Sequence, residues 1–459
     1  MNAIDYGLIG HPLGHSLSPM IHRALLAAAD LPGDYRLYDL TPDELPHRIP
    51  RLMRELAGFN CTIPYKEAVL PYLDRLDDSA ASVRSVNTIW RGAGYNTDYQ
   101  AFCRECPLPA GARVLILGAG GVSRTMAFAA AAAGAAVTII ARRPEQARTL
   151  AASVSQAYPA AAIRVLEDLE IWRGQQKTEN GAGPSWILLN GTPVGLWPGT
   201  AGLPFPVDDL AFCRQVYDTI YNPVATRLVL AARSRGIPAS GGLGMLFSQA
   251  LAAEQIWHPG HLFPAGDLAA IQARLARAVL EQSPLTIILT GFMGSGKTTV
   301  GRLLAKQLKL PFIDLDQAIE TAIGRTIPAY FAAEGEPAFR NLEQQHLQQV
   351  LKSGAGQILA AGGGTLLDPA AESLVRNSPA LVVFLDTSLE KICQRVGDGE
   401  GRPMIYRQGD RHLRDLFSLR QPRYRTLADL TVDAGGEPEA IAGRIAAELG
   451  FEQSKGEPI

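Results

Sequence analysis

Apolar runs that break off at glycine set the rhythm of this chain. Leu285–Leu289 (LTIIL) leads into Gly291-Phe292-Met293-Gly294-Ser295-Gly296, and a helical pattern follows from Val300 to Leu308. Arg113–Leu117 (RVLIL) leads into Gly118-Ala119-Gly120-Gly121 and an alanine-rich helical stretch to Ala133. Gly134 stops that stretch, and Ala136–Ala141 (AVTIIA) predicts another strand. Unbroken apolar runs suit strands buried on both faces, and their alternation with helices points to parallel sheets. Further strand patterns fall at Tyr6–Ile9, from Gly58, at Trp186–Leu189, Gln215–Thr219 and Ile358–Ala361. Pro311–Asp316 (PFIDLD) reads as a strand on which Asp314 and Asp316 share one face. Helical spacing appears at Ile21, Leu25 and Leu26 and over Leu268–Leu280, while residues 173–184 (RGQQKTENGAGP) read as a flexible loop. The expected fold class is α/β.

Composition narrows the class. A chain of 459 residues is too long for one ordinary core, so two or three domains are expected. With 47% hydrophobic and 19% charged residues and a net charge of −2, it reads as soluble and globular, with no basic excess for nucleic acid. The alanine-rich runs are interrupted before membrane-span length, so no membrane partner is expected, and no secretory pattern opens the chain. Five cysteines suit a reducing cytoplasm better than a disulfide framework. Cys103 and Cys106 form a lone CxxC without a second pair, so no metal or redox use is expected of them.

Two glycine turns carry chemistry. Gly291 to Thr298 is G-x-x-x-x-G-K-T between a strand and a helix, a setting in which backbone amides wrap nucleotide phosphates. Gly294, Ser295, Gly296, Lys297, Thr298 and Thr299 are the candidate ATP residues. Thr298 and Asp314 are candidates for Mg2+, and Asp316 could accept the proton of an attacking hydroxyl. The other turn, Gly118, Ala119, Gly120, Gly121 and Val122, sits in a βαβ pattern that fits a dinucleotide, although Ser123 stands where a third glycine is usual. A turn that binds nothing is the bland alternative for each. At the end of the next strand an NAD site places an acid. Here Arg142 and Arg143 stand instead, which suits a 2′-phosphate and favours NADP(H).

The first hundred residues hold polar loops. Ser16 and Ser18 precede a helix as N-caps or as a carboxylate site. Asn60, Thr62 and Pro64 end a strand, and Lys66 reads as the start of a helix, the wrong end for a cation on dipole grounds. Asn87 and Asp98 lie in two further loops. SLSP, N-x-T-x-P-x-K, VNT and NTD, in this order, resemble the shikimate dehydrogenases, and the resemblance covers about residues 5–260. It implies that Lys66 and Asp98 are the catalytic pair. It further implies that Ser16, Ser18, Thr62, Asn87, Asp98, Tyr221 and Gln249 hold the substrate, and that Thr219 and Gly242 touch the cofactor. A ketone reduced by hydride needs a proton donor at the developing alkoxide, and a lysine beside a carboxylate can be that donor. The implied architecture has two lobes. Residues 1–105 form a substrate-binding lobe completed by 240–282, and residues 106–239 form a Rossmann NADP-binding lobe.

After a short linker at Glu281–Pro284, the phosphate loop opens a second series. It comprises the DxD of Asp314 and Asp316, Phe339-Arg340, Gly362-Gly363-Gly364, Gly401-Arg402-Pro403 and Arg420-Gln421-Pro422-Arg423-Tyr424. This series resembles shikimate kinase and implies a P-loop domain with a parallel sheet over residues 285–450, followed by a polar tail, 451–459. The resemblance implies that Asp316, Arg340, Gly362, Gly363, Gly364 and Arg420 hold shikimate, and that Lys297 and Arg402 hold ATP phosphates. Gly397 to Arg402 suggests a lid. The loop Asp433–Pro438 lacks the arginine that the family often carries near adenine.

Together the resemblances imply a bifunctional enzyme of chorismate and aromatic amino-acid biosynthesis. NADPH would reduce 3-dehydroshikimate to shikimate, and MgATP would convert shikimate to shikimate 3-phosphate. The alternatives are an NAD-dependent quinate/shikimate dehydrogenase in the first part, or one part reduced to a ligand sensor. Small molecules are the expected partners, and the sequence gives no oligomeric state. Arg142 and Arg143 predict a kinetic preference for NADP over NAD. Initial rates with each cofactor check this, and a preference for NAD would reverse the assignment.

Overall fold

The computed structural model describes residues 5–14, 16–178, 185–396 and 409–451. The chain divides into two compact units. The first is Met1–Pro193, Pro204–Tyr221 and Ile237–Ala276; the second is Val194–Leu203, Asn222–Gly236 and Arg277–Ile459. Among the described residues no helix is long and apolar enough to cross a membrane.

The first unit holds two sheets. One contains β1 (Asp5–Gly10), β2 (Asp34–Asp39), β3 (Gly58–Cys61), β4 (Arg75–Leu76), β5 (Thr88–Trp90) and β6 (Ala93–Tyr95), in the order β2-β1-β3-β5-β6-β4. It is mixed, because β5 runs antiparallel to both β3 and β6. Gly7 lets β1 lie against its neighbour, since a Cβ there would stand 2.5 Å from the Tyr38 ring. Asn96 caps the helix Thr97–Glu105 by accepting from the Tyr99 amide at 2.9 Å.

The other sheet contains β7 (Arg113–Leu117), β8 (Ala136–Ile140), β9 (Ile163–Leu166), β10 (Trp186–Asn190), β11 (Cys213–Asp218) and β12 (Ala239–Ser240). All neighbours are parallel, in the order β12-β11-β10-β7-β8-β9. This is the doubly wound order, with its reversal between β7 and β10. The helix Gly121–Ala132 buries a nearly continuous run of small side chains, so it lies close against the sheet. The helix Leu169–Thr178 runs through the first part of the stretch expected to be a loop. Trp172 is the reason: it is fully buried among Trp186, Phe205 and Phe212 and anchors that helix. Residues 179–184 lie outside the described residues.

The second unit is built on β13 (Thr286–Thr290), β14 (Phe312–Asp314), β15 (Gln357–Ala360), β16 (Leu381–Asp386) and β17 (Leu430–Asp433). They form a wholly parallel sheet, β14-β15-β13-β16-β17. The long helix Ile327–Lys352 is kinked at Gly335, which takes φ 81°, two residues before Pro337. The helix Arg227–Arg233 also belongs to this unit, where Arg227 Nε lies 3.1 Å from Asp429 Oδ1. The first half of the expected linker at Glu281–Pro284 is helix. The helix Ala265–Gln282 continues to within four residues of β13, because Leu275, Val279 and Leu280 stay buried along it.

The departure from the glycine pattern at Ser123 has a packing reason. Ser123 is fully buried, and Gly191 faces it, where a Cβ would stand 2.3 Å from Ser123 Oγ and 2.8 Å from Met126 Cε. Gly191→Ala should therefore destabilise the first unit by about 1–3 kcal/mol, and adding Ser123→Gly should recover part of that loss. Denaturant unfolding of the wild type and the two variants checks both expectations.

Candidate active sites

In the first unit, the strands and turns of the mixed sheet bring Lys66 to Asp98. Lys66 Nζ donates to Asp98 Oδ2 at 2.5 Å. Lys66 does not start a helix. It stands in a run of turns after β3, ahead of a short 3-10 turn at Leu70–Tyr72, because Pro64 and the buried Tyr65 fix the chain there. The dipole argument therefore does not apply to it. Asp98 lies in the first turn of the helix Thr97–Glu105, where a carboxylate is favoured. Burial works to lower the Lys66 pKa, but the Asp98 carboxylate outweighs it and holds the ammonium above its ordinary range.

Asn87 is buried behind this pair. Its Oδ1 accepts from the Thr97 amide at 2.7 Å, and its Nδ2 donates to Thr97 Oγ1 at 3.0 Å. Asn87 thus fixes the residue just before Asp98. Ser16 and Ser18 stand together at a helix start, where Ser16 Oγ accepts from the Ser18 amide at 3.3 Å. Thr62 lies against Gly10, where a Cβ would meet Thr62 Cγ2 at 2.6 Å. Gln249 folds back on its own helix, donating to the Leu246 carbonyl at 2.9 Å, and among the described residues no hydrogen bond joins it to Lys66 or Asp98. Tyr221 is half-buried at the end of the segment after β11, and burial raises its pKa.

The cofactor candidates gather at one edge of the parallel sheet. Gly118 takes φ 97°, and a Cβ on it would stand 3.1 Å from the Gly191 carbonyl oxygen. Thr219 donates to the Asn190 carbonyl at 2.9 Å through its hydroxyl. Gly242 is pressed against Thr219, because a Cβ there would stand 2.1 Å from the Thr219 carbonyl oxygen. Space in front of Gly120 and Gly121 is open, with Ala119 and Val122 beside them. Arg142 and Arg143 are exposed at the end of β8, and neither joins an ion pair among the described residues. Open glycines at a helix start with two arginines nearby fit a dinucleotide that carries an extra phosphate.

The second unit brings together most of its predicted set. Gly294 and Gly296 take φ 78° and 94°, conformations that favour glycine. Lys297 Nζ donates to the Gly291 and Phe292 carbonyls at 3.0 and 3.1 Å, and Ser295 is buried inside the loop. Thr299, in contrast, faces outward. Thr298 Oγ1 donates to Asp314 Oδ2 at 2.7 Å, so two oxygen ligands suited to Mg2+ already meet. Asp314 and Asp316 do not share a strand face. β14 ends at Asp314, which caps the helix Leu315–Ile323, and Asp316 lies in that helix's first turn.

Gly362, Gly363 and Gly364 are the meeting point. A Cβ at Gly362 would stand 2.8 Å from Asp316 Oδ1, and one at Gly364 would stand 2.9 Å from the Arg340 guanidinium. Gly363 lies near Met293 of the phosphate loop and near Arg420, and its carbonyl accepts from the Tyr424 hydroxyl. Arg402 and the expected lid at 397–402 lie outside the described residues.

Known proteins match both parts of the chain. A family model for shikimate kinase matches residues 293–450, and one for the shikimate dehydrogenase substrate binding domain matches residues 8–89. A shikimate dehydrogenase (NADP(+)) of Moorella thermoacetica is 39% identical over 261 residues, covering 54% of this chain and 86% of that protein. A shikimate kinase of Limosilactobacillus fermentum is 42% identical over 172 residues, covering 37% of this chain and 99% of that protein. The solved shikimate 5-dehydrogenase of Thermus thermophilus, in complex with NADP(H) and shikimate, aligns with a TM-score of 0.50 at 31% identity. That alignment covers 59% of this chain and 99% of that one. This chain belongs to the shikimate dehydrogenase and shikimate kinase families. It is an enzyme of the shikimate pathway, with an NADP-type shikimate dehydrogenase part followed by a shikimate kinase part.

The sequence reading missed two residues of the kinase part. Glu343 is almost fully buried, accepts from Arg340 at 2.6 Å and from Thr365 Oγ1, and so ties Arg340 to the glycine loop. Its spacing of three from Arg340 on one helix was the available signal. Arg395 donates to the Ala434 and Gly436 carbonyls at 2.9 and 3.1 Å and lies 3.5 Å from the Ser295 carbonyl oxygen. The loop after β17 carries no arginine of its own, and folding brings one from the helix Leu389–Val396. No local pattern could have foretold that.

The state of Lys66 gives a direct test. The pair's contribution is full below the ordinary lysine pKa and is lost as pH rises through the raised one. In Asp98→Asn the burial remains while the carboxylate is gone, so Lys66 should titrate below the ordinary lysine value of about 10.4. Side-chain NMR titration of both forms should show this drop.

Proposed function

We propose that the first part reduces 3-dehydroshikimate to shikimate with NADPH, and that the second phosphorylates shikimate at its 3-hydroxyl with MgATP. The observation that supports the reading is the Lys66–Asp98 contact at 2.5 Å, since a lysine held beside a carboxylate suits proton donation to a carbonyl oxygen. NADPH, when bound, supplies the hydride to the carbonyl carbon. Lys66 then gives its proton to the carbonyl oxygen, and Asp98 keeps Lys66 charged and aimed. Ser16, Ser18, Thr62, Asn87, Tyr221 and Gln249 hold the substrate's carboxylate and hydroxyls. Gly118, Ala119, Gly120, Gly121, Val122, Thr219 and Gly242 hold the dinucleotide, with Arg142 and Arg143 on its 2′-phosphate.

In the kinase part, Arg340, Arg420 and Gly362–Gly364 hold shikimate so that its 3-hydroxyl meets Asp316. Asp316 takes the hydroxyl proton, the oxygen bonds to the γ-phosphorus, and ADP leaves. Lys297 and Arg402 offset the charge on the phosphates, and Thr298 and Asp314 would hold Mg2+. Phosphoryl transfer needs alignment and charge neutralisation above all, which suits a site built from glycine amides and cations. The division into lobes at 105/106 and 239/240, and a cytoplasmic location, belong to this proposal.

Supplying 3-dehydroshikimate, NADPH and MgATP should yield shikimate 3-phosphate. Lys66→Ala should lower the dehydrogenase rate by about 10²–10⁴-fold and spare the kinase. Lys297→Ala should lower the kinase rate by about 10²-fold or more and spare the dehydrogenase. Separate assays of each step read this out, and loss of both activities in either variant would contradict two independent sites.

A further inference from the structure

A buried polar cluster in the dehydrogenase part has no place in the chemistry above. His22 and Glu254 are both fully buried, and His22 Nδ1 lies 2.6 Å from Glu254 Oε1. His258 Nε2 lies 3.3 Å from Glu254 Oε2. The His22 ring stacks flat on Tyr35, with centroids 4.0 Å apart and planes 4° apart. Burying three ionisable side chains among Tyr6, Tyr35 and Trp257 is unfavourable unless each is paired, and such pairs serve best to fix register.

The cluster joins elements that carry the candidate substrate residues. His22 lies four positions after Ser18 on the helix Ser18–Ala28. Glu254 lies five positions after Gln249 on the helix Leu243–Trp257. The Tyr35 hydroxyl donates to Asn60 Oδ1 at 2.8 Å. Asn60 Nδ2 in turn donates to the Asn87 carbonyl at 3.1 Å and to Thr88 Oγ1 at 2.9 Å. One connected path therefore runs from Glu254 through His22 and Tyr35 to Asn60 and Asn87.

We propose that Glu254, His22 and Tyr35 are positioning residues for the dehydrogenase part, setting through Asn60 where Asn87 stands to receive shikimate. This rests on the assignment of Asn87 to the shikimate site. Tyr35 touches no reacting atom; its hydroxyl fixes the Asn60 side chain, and the Glu254–His22 pair holds the ring that carries that hydroxyl. A loss of position in this path weakens shikimate binding and leaves the hydride step and the cofactor site untouched.

Tyr35→Phe keeps the ring and its stack on His22 and removes only the hydroxyl. The expected result is a shikimate KM about three- to tenfold higher, the size of one lost hydrogen bond, with kcat and the NADP KM near wild type. The kinase KM for the same ligand should not move. Glu254→Ala should raise the dehydrogenase KM for shikimate likewise, and Glu254→Gln should recover part of it. An unchanged shikimate KM in Tyr35→Phe overturns the proposal, whether or not the Glu254 variants fold. So does a joint rise of both KM values with a fall in kcat, which would mean general loosening. Asn87→Ala separates the two levels. If it raises the shikimate KM while Tyr35→Phe does not, the site assignment stands and the positioning role fails. If Asn87→Ala has no effect, the assignment fails and the proposal with it.

Discussion

Parallel strand pairing is the constraint on which both candidate nucleotide sites depend. In a parallel sheet every strand ends at the same edge, so the loops that follow neighbouring strands must meet there. In the first unit this brings Gly118 after β7, Gly191 after β10, Thr219 after β11 and Gly242 after β12 into mutual contact. In the second it brings the phosphate loop after β13, Asp314 at the end of β14 and Gly362–Gly364 after β15 together. Gly118 and Gly242 are glycine because a neighbouring loop stands where a side chain would be. Gly120 and Gly121 leave open space at one helix start and the phosphate loop leads into another, which is why one architecture serves a dinucleotide in one unit and a nucleoside triphosphate in the other.

A second regularity is that the buried and half-buried charges at these sites come with partners. Lys66 has Asp98, Arg340 has Glu343, and Glu254 has His22 and His258. The reason is desolvation: an isolated buried charge is costly, while a paired one is tolerated and becomes rigid. Rigidity is what a site needs from these groups. Arg340 is held from two sides by Glu336 and Glu343, so its guanidinium faces Gly364 in one orientation. Lys66 is held charged by a neighbour that occupies the favourable end of a helix.

Most strands with unbroken apolar runs were legible, because burial on both faces leaves no other composition open, although β16 (Leu381–Asp386) was missed. β7, β8, β10 and β13 appear within a residue of where the pattern puts them. Short or half-exposed strands such as β2, β4, β6 and β12 were not legible, since two to six residues with mixed faces carry little periodic signal. Local readings failed where a distant contact decided the outcome. Trp172 turned a polar stretch into helix by burying itself among three aromatic rings. Asp316 left the strand because Asp314 caps a helix that starts one residue later. Lys66 lies in turns that Pro64 and Tyr65 impose.

By itself the sequence determined the α/β class, both glycine loops, the two arginines after β8 and the order of the motifs, because each depends on residues within a few positions of one another. Only the tertiary structure decided which of these residues meet. It put Lys66 against Asp98 across 32 positions, Arg395 beside a loop 39 positions away, and His22 against Glu254 across 232. It also left Gln249 on its own helix and Thr299 facing outward. Such pairings follow from sheet order and helix packing, which depend on the whole chain and leave no mark in any single stretch of it.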